Sequence, residues 1–153
     1  MAQKALNLED IVAGNIIQTK GIGSMTWLKD GERYSRLENN KQTGGTDIVA
    51  YRAKDNSREV IIPSSLLTDK STGRPIPVRS VSWSADNEKV LIYNNTRRVW
   101  RYDTRGDYWV LNLKDGALRQ LGKGMPESSM MFAKFSPDGT RVAYVSNNNI
   151  YVE

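Results

Sequence analysis

Beyond Gly23 the chain alternates apolar and polar residues in short stretches, and each stretch is bounded by a turn signal. The stretches, such as DIVAYRA and REVII, are rich in β-branched and aromatic residues, which favour strands. Asp, Asn and Gly separate them, and these residues suit tight turns because they tolerate positive φ or bond to their own backbone. The pattern predicts five successive β-hairpins. Their turns are expected at Asp30–Gly31, Asp55–Asn56, Asp86–Asn87, Asp115–Gly116 and Asp138–Gly139.

The hairpins are of two alternating kinds. The first kind enters its turn from a strand that ends near an aromatic residue, namely Trp27, Trp83 or Phe135. The second kind enters from an alternating apolar strand, as in DIVAYRAKDNSREV and DYWVLNLKDGALRQL. The three aromatic residues are 56 and 52 residues apart, and we predict that all three lie in the core. A period of about fifty residues with four short antiparallel strands is typical of a β-propeller.

We therefore predict an all-β fold in which residues 24–153 form four-stranded antiparallel propeller blades. Blade one is expected at about 24–63, blade two at about 79–122, and the first half of blade three at about 130–153. Residues 1–23 form a lead segment, in which ALNLEDIVAGNI favours a short helical turn. Because a propeller must close to hide its strand edges, these two and a half blades are expected to be the front of a longer polypeptide. The alternative is a small twisted β-sheet domain that merely has regular hairpins.

Composition removes several kinds of site. The sequence has no cysteine, which excludes disulfides and thiolate metal sites. It has no histidine, which is the usual general base and the commonest metal ligand. No spacing typical of a metal site or a phosphate-binding loop occurs, so we expect no metal and no other cofactor. No residue is assigned as catalytic, and Ser136 in FSPDG is interpreted as a turn residue because no histidine can activate it.

Charge changes this picture little. The chain has 22 Lys and Arg against 17 Asp and Glu, which gives a net charge of +5. The two signs are interleaved, and only Arg97, Arg98, Arg101 and Arg105 crowd together. We interpret this as a solvated basic surface. The alternative, a nucleic-acid binder, predicts an affinity that falls steeply with salt. No apolar run approaches the length of about 20 residues that a membrane-spanning helix needs.

The segment IYNNTRRVWRYDTRGDYWV joins the second and third strands of blade two and is the strongest candidate for function. We expect a long loop here, and loops on a rigid scaffold often carry binding groups. An arginine in it could present its planar donor fork to a carbonyl or a carboxylate. In the alternative interpretation the arginines pair with Asp103, Asp107 or solvent, and Trp100 simply packs.

Two runs, VWRYDTRGDYWVLNLKDG and FSPDGTRVAYVSNNNIYV, give the chain a resemblance to a known family. With the opening LNLEDIVAGNI and the later WLKDGERY, the sequence resembles the N-terminal part of dipeptidyl peptidase IV and its bacterial relatives, in the prolyl oligopeptidase clan of serine peptidases. The resemblance implies an eight-bladed propeller joined to a C-terminal α/β-hydrolase domain, with the active site in the cavity between them. In such enzymes Xaa-Pro dipeptides are released from the N-termini of peptides.

The resemblance also implies the substrate-binding residues. Arg101 matches the family's arginine that binds the substrate's backbone carbonyl region. Tyr102 follows it where the family often has histidine, so Tyr102 is a second candidate contact that departs from the family pattern. The family's glutamate pair and its serine, aspartate and histidine triad match no position in this chain. Any peptidase activity is therefore expected of an intact parent, in which this portion gates and lines the substrate cavity.

The remaining expectations concern partners and location. The resemblance implies a peptide substrate, a homodimeric parent, and a periplasmic or secreted location, although the first residues lack a signal-peptide pattern. No nucleic-acid partner is expected. Two further functions stay open: a non-enzymatic periplasmic propeller that acts as a scaffold or binding module, and a prolyl tripeptidyl peptidase.

Overall fold

The computed structural model describes residues 7, 8, 12, 21 and 23–153. Leu8 and Val12 have helical backbone and are exposed. Asn7, which also belongs to the predicted helical turn, is not helical, and the other residues of that turn lie outside the described ones. The proposed division into a lead segment and a propeller segment stays a prediction. From Met25 onward the described chain is built almost wholly of antiparallel strands.

The first sheet has four strands in the spatial order β1-β2-β3-β4. Its strands are β1 (Met25–Trp27), β2 (Arg33–Asn39), β3 (Thr46–Arg52) and β4 (Arg58–Ile62). A 3₁₀ helix follows at Ser64–Leu67. A two-stranded ribbon then leads to the second sheet, and it consists of β5 (Thr68–Asp69) and β6 (Arg74–Pro75).

The second and third sheets repeat this up-and-down order. The second sheet contains β7 (Ser80–Trp83), β8 (Lys89–Val99), β9 (Tyr102–Asn112) and β10 (Leu118–Gln120). The third sheet contains β11 (Met131–Phe135), β12 (Val142–Ser146) and β13 (Asn149–Val152). All neighbouring strands in the three sheets are antiparallel. The predicted all-β fold of partial propeller blades is confirmed.

The five turn pairs lie where the sequence predicts them. Each connects two antiparallel neighbours, and the second residue of each pair has positive φ: Gly31 68°, Asn56 55°, Asn87 57°, Gly116 68° and Gly139 66°. The asparagine run 147–149 also behaves as its composition indicates, since Asn147 and Asn148 have φ values of 49° and 62° between β12 and β13. Residues that tolerate the left-handed region therefore fix the hairpin positions.

Ser136 is a turn residue, as predicted. Its hydroxyl donates to Oδ1 of Asp138 at 2.5 Å and accepts the backbone N–H of Arg141 at 3.0 Å. This hydrogen bond, with others from Thr140, lowers the pKa of Asp138 to about 2. The hydroxyl is thus committed to closing the β11–β12 hairpin.

Two apolar clusters hold the sheets together. The first cluster lies between the first and second sheets, and its buried members are Ile48, Ile62, Leu67, Val90, Ile92 and Leu111. The second cluster lies between the second and third sheets, and its buried members are Leu91, Tyr108, Leu121, Met130, Val142 and Tyr144. Because strand side chains alternate between faces, successive residues of β8 serve both clusters.

The three repeated aromatic residues occupy equivalent places, each at the end of the first strand of its sheet. Trp83 packs against the first cluster and its Nε1 donates to Oγ of Ser35 in the preceding sheet at 3.3 Å. Phe135 packs against the second cluster. The prediction that Trp27 lies in the core is wrong, since this side chain is 56% exposed. Trp83 and Phe135 are covered by the sheet before their own, whereas no sheet precedes Trp27 within the described residues.

A buried aspartate ties together the ends of the first sheet. Asp47 in β3 accepts the backbone N–H of Ser64 at 2.7 Å and Nδ2 of Asn40 at 3.0 Å. Burial raises the pKa of its carboxyl, but these hydrogen bonds outweigh burial and hold the pKa below 3.8. Asp47 thus fixes both the β2–β3 connection and the segment that leaves the sheet.

Asp107 repeats this arrangement in the second sheet. It is 6% exposed and accepts the backbone N–H of Ser128 at 2.7 Å and Nδ2 of Asn95 at 2.7 Å. The Ser128 hydroxyl donates in turn to the carbonyl of Asn95 at 2.6 Å. The same chemistry at the third strand of two successive sheets supports a repeating blade.

Glu153 ties the third sheet to the second. Its Oε1 accepts the N–H of Gly122 at 2.8 Å and the hydroxyl of Tyr144 at 2.7 Å, and its Oε2 pairs with Arg119 at 2.9 Å. Burial raises the pKa of this carboxyl, but the three donors outweigh burial and hold it below 4.5. A charged group therefore reinforces the apolar contact between these two sheets.

Candidate functional site

The segment predicted as a long loop is a β-hairpin that extends the second sheet. Strands β8 and β9 pair from Lys89 opposite Asn112 to Val99 opposite Tyr102, with register shifts on the way. Only two residues, 100 and 101, remain for the turn. The expectation of a loop was wrong because polar residues can continue an exposed ladder, in which backbone hydrogen bonds do not depend on side-chain polarity.

The tip of this hairpin presents its side chains outward. Trp100 has φ of 58° and is 94% exposed, so it does not pack as the alternative interpretation required. Its carbonyl accepts Nε of Arg98 at 3.2 Å, which stabilises the turn. Arg101 is exposed and forms no ion pair or hydrogen bond with the part of the chain that the structure describes. Its guanidinium donors are therefore available to a ligand.

The nearby carboxylates have other partners. Asp103 pairs with Arg79, which lies before β7, at 3.3 Å. Asp107 accepts hydrogen bonds from Asn95 and Ser128. The described carboxylates of the hairpin thus leave Arg101 without a neutralising partner.

The hairpin also contains an unusual cross-strand pair. Arg97 lies directly opposite Arg105, and like charges in this position destabilise a sheet. Both side chains are exposed, and neither forms an ion pair with a described residue. The positive charge of this hairpin is therefore not balanced locally.

A cavity of about 610 Å³ lies beside the hairpin tip. Every described residue that lines it carries a charge or a hydroxyl group. The charged members are Arg79, Arg98, Arg101 and Asp103, and the hydroxyl-bearing members are Ser24, Ser80, Tyr93 and Tyr102. The cavity is thus rich in hydrogen-bond donors, and it carries two more positive than negative groups.

Tyr93 connects the cavity to the core of the second sheet. Its ring stacks on Tyr108 with the centroids 4.7 Å apart, and its hydroxyl donates to the carbonyl of Asp103 at 3.0 Å. Burial, together with the charges of Tyr108 and Asp103, raises the pKa of Tyr93 to about 12. The hydroxyl consequently stays protonated at neutral pH and holds β9 in place below the tip.

Gly106 leaves space for the ring of Tyr93 because it has no side chain. A Cβ at this position would overlap Cε2 of Tyr93 and would lie 2.6 Å from the backbone oxygen of Asn94. The backbone of Gly106 also exchanges hydrogen bonds with Met130, at 3.0 and 3.1 Å. Glycine is thus required where β8, β9 and the start of the third sheet meet.

The fold brings both sequence-predicted binding residues to one cavity. Arg101 and Tyr102 line it together, and Tyr102 is 73% exposed. Sequence reasoning did not single out Arg79, Ser24 or Ser80, which come from distant segments and which no local signal marks. Within the described ranges, no three His, Cys, Asp or Glu side chains are grouped so as to hold a metal ion.

Comparison with known proteins identifies the region that contains this hairpin. Residues 84–153 match the family model described as the N-terminal region of dipeptidyl peptidase IV (DPP IV). This part of the chain is therefore similar to the start of DPP IV-like proteins. The predicted resemblance to the start of a DPP IV-like protein is confirmed.

Curated relatives of the DPP IV type align with much of the chain. Dipeptidyl aminopeptidase B of Saccharomyces cerevisiae is 27% identical over an alignment of 152 residues, which covers 93% of this chain and 17% of the yeast protein. An Aspergillus oryzae protein named "Probable dipeptidyl-aminopeptidase B" is 27% identical over 124 residues, which are 80% of this chain and 13% of that protein. The chain therefore spans only a small part of the length of these relatives.

A solved structure shares the fold. The dipeptidyl peptidase 4 of Porphyromonas gingivalis matches with a TM-score of 0.73 and 20% sequence identity, over 99% of this chain and 20% of that chain. At this identity the match shows that the DPP IV-like chain and the enzyme share a fold. Among the described residues, no helix is both long enough and apolar enough to cross a lipid bilayer.

Proposed function

We propose that this chain is the N-terminal propeller portion of a serine-type dipeptidyl peptidase that releases Xaa-Pro dipeptides from peptide N-termini. One observation carries the proposal: Arg101 stands without a described partner at the tip of the β8–β9 hairpin, at the edge of a 610 Å³ cavity. This hairpin lies within the residues that match the DPP IV N-terminal region. The relatives named above supply the reaction class by analogy.

In the proposed function Arg101 holds the backbone carbonyl of the substrate. A guanidinium presents several N–H donors in a rigid plane, so it can orient a peptide as well as bind it. Tyr102, on the same cavity wall, is a second contact. The propeller portion gates and lines the substrate cavity, and it does not carry out the chemical step.

The chemical step belongs to a C-terminal α/β-hydrolase domain of a longer polypeptide. A serine nucleophile needs an adjacent general base, and this chain has no histidine. We propose a homodimeric parent with a periplasmic or secreted location. Its partners are the peptide substrate and the hydrolase domain of the same polypeptide.

The test of this role is Arg101→Ala in the full-length polypeptide. Loss of a charge-assisted hydrogen bond worth about 1.5–3 kcal/mol corresponds to a roughly 10- to 100-fold lower kcat/KM for an Xaa-Pro chromogenic substrate. Arg97→Ala is the matched control, because it removes the same charge from the same hairpin and Arg97 does not line the cavity. Kinetics of Arg101→Ala equal to those of the control would remove Arg101 from the site.

A further inference from the structure

The cavity beside the hairpin tip holds more positive charge than the proposed carbonyl contact needs. Of its three guanidinium groups, Arg79 is balanced by Asp103 at 3.3 Å. Arg101 and Arg98 remain, and neither forms an ion pair with a described residue. A neutral carbonyl requires only one of them.

One hydrogen bond holds the Arg98 side chain in place and leaves its other donors available. Its Nε donates to the carbonyl of Trp100 at 3.2 Å, and its terminal nitrogens make no hydrogen bond with described residues. The planar group is thus fixed at one edge and open at the other. Such a fork matches the two oxygens of a carboxylate.

The rest of the lining favours the same ligand. Ser24, Ser80 and Tyr102 contribute hydroxyl groups, and no purely apolar side chain lines the cavity within the described residues. Hydroxyl and guanidinium donors together suit an anionic acceptor, whereas an apolar ligand would leave them unsatisfied. Moreover, the like charges of Arg98 and Arg101 repel each other, and a bound anion would relieve this repulsion.

We propose that this cavity binds a carboxylate of the peptide, and that Arg98 is the residue that selects for it. The inference rests on the proposed function for the identity of the ligand as a peptide substrate. The carboxylate comes either from an acidic side chain or from the C-terminus of a short peptide. In both cases Arg101 holds the backbone while Arg98 holds the charge.

The experiment is a nuclear magnetic resonance titration of the chain with three unlabelled peptides. The first is Ala-Pro-Glu-Ala amide, the second is its glutamine analogue, and the third is the glutamine peptide with a free C-terminal carboxylate. We expect a Kd about tenfold lower for the glutamate peptide than for the glutamine amide. A lower Kd for the first peptide assigns the carboxylate to an acidic side chain, whereas a lower Kd for the third peptide alone assigns it to the C-terminus.

The variants assign this preference to Arg98. Arg98→Ala is expected to reduce the tenfold preference to twofold or less, whereas Arg97→Ala, with the same loss of charge, should keep it. Arg98→Gln provides a second variant of nearly the same length, and the spectra themselves report whether each variant is folded. Equal Kd values for all three peptides, or the same loss of preference in the Arg97 variant, would overturn the proposal.

The outcome is separable from that of the proposed function. Dipeptide release by the full-length polypeptide without any carboxylate preference in the titration would refute this inference alone. An Arg98-dependent preference in the titration, together with a full-length polypeptide that cleaves no Xaa-Pro substrate, would refute the peptidase proposal and support the carboxylate site.

Discussion

Replacing Gly106 with alanine is expected to lower the free energy of unfolding by about 3 kcal/mol, at the upper end of the cost of overpacking a core. The new Cβ would lie 2.6 Å from the backbone oxygen of Asn94, and a side-chain rotation cannot relieve a clash with backbone. The same Cβ would push the ring of Tyr93. The hydroxyl of Tyr93 would then lose its bond to Asp103, so the cavity would also change shape.

Chemical denaturation of the purified chain measures this effect. Gly21→Ala is the matched control, because a Cβ there would meet no atom of the described residues within 4 Å, and we expect it to change stability by less than about 0.5 kcal/mol. A Gly106→Ala variant as stable as the control would mean that Tyr93 and the β8 backbone are not packed as described.

Removing either buried aspartate, by Asp47→Ala or Asp107→Ala, is expected to cost about 3 kcal/mol. Each carboxylate accepts one backbone and one side-chain hydrogen bond, and truncation leaves those donors without an acceptor. The two costs should be similar because the two arrangements are equivalent. Glu127→Ala, at an exposed position, removes one negative charge and should leave the unfolding free energy within about 0.5 kcal/mol of the wild type.

The contribution of Asp47 should depend on pH with a defined sign. Its folded pKa lies below 3.8, the value expected when unfolded. The stabilisation is therefore complete above pH 3.8 and is lost as the pH falls through the folded pKa. The difference in unfolding free energy between wild type and Asp47→Ala should shrink below pH 3.8. A difference that stays constant down to pH 2 would show that the carboxylate charge is not used.

The fold could largely be predicted from the sequence because its local signals agree. Turn pairs such as Asp86–Asn87 fix where each hairpin reverses, and the spacing of Trp83 and Phe135 fixes the repeat. Trp27 carried the same pattern and is nevertheless exposed. A pattern reports that a residue has an apolar side chain at a repeated position, whereas burial also needs a neighbouring sheet.

The lengths of the strands are harder to predict from the sequence than their positions. Polar residues such as Arg97 and Thr104 have no alternating apolar pattern, so the β8–β9 extension was predicted as a loop. Buried Asp107 was likewise missed as a structural group, because its donor Ser128 is distant in sequence. Hydrogen bonds between remote segments leave no periodic signal.

The candidate site was partly predictable. Arg101 and Tyr102 came from the resemblance, and the structure places them on one cavity wall. The sequence marks Arg98 only as one of several clustered arginines, and it carries no signal that marks Arg79. Their roles depend on which arginine forms an ion pair with a carboxylate. This is decided by the strand pairing in the folded chain, where Arg79 pairs with Asp103.

Dipeptide release itself can be measured with the full-length polypeptide, a peptide that begins Ala-Pro and mass spectrometry of the products. A partner peptide with an acetylated N-terminus serves as the control. We predict that the unblocked peptide loses its first two residues as one dipeptide and that the acetylated peptide stays intact. Release of a tripeptide, or no cleavage of either peptide, would contradict the assignment of this propeller segment to a dipeptidyl peptidase.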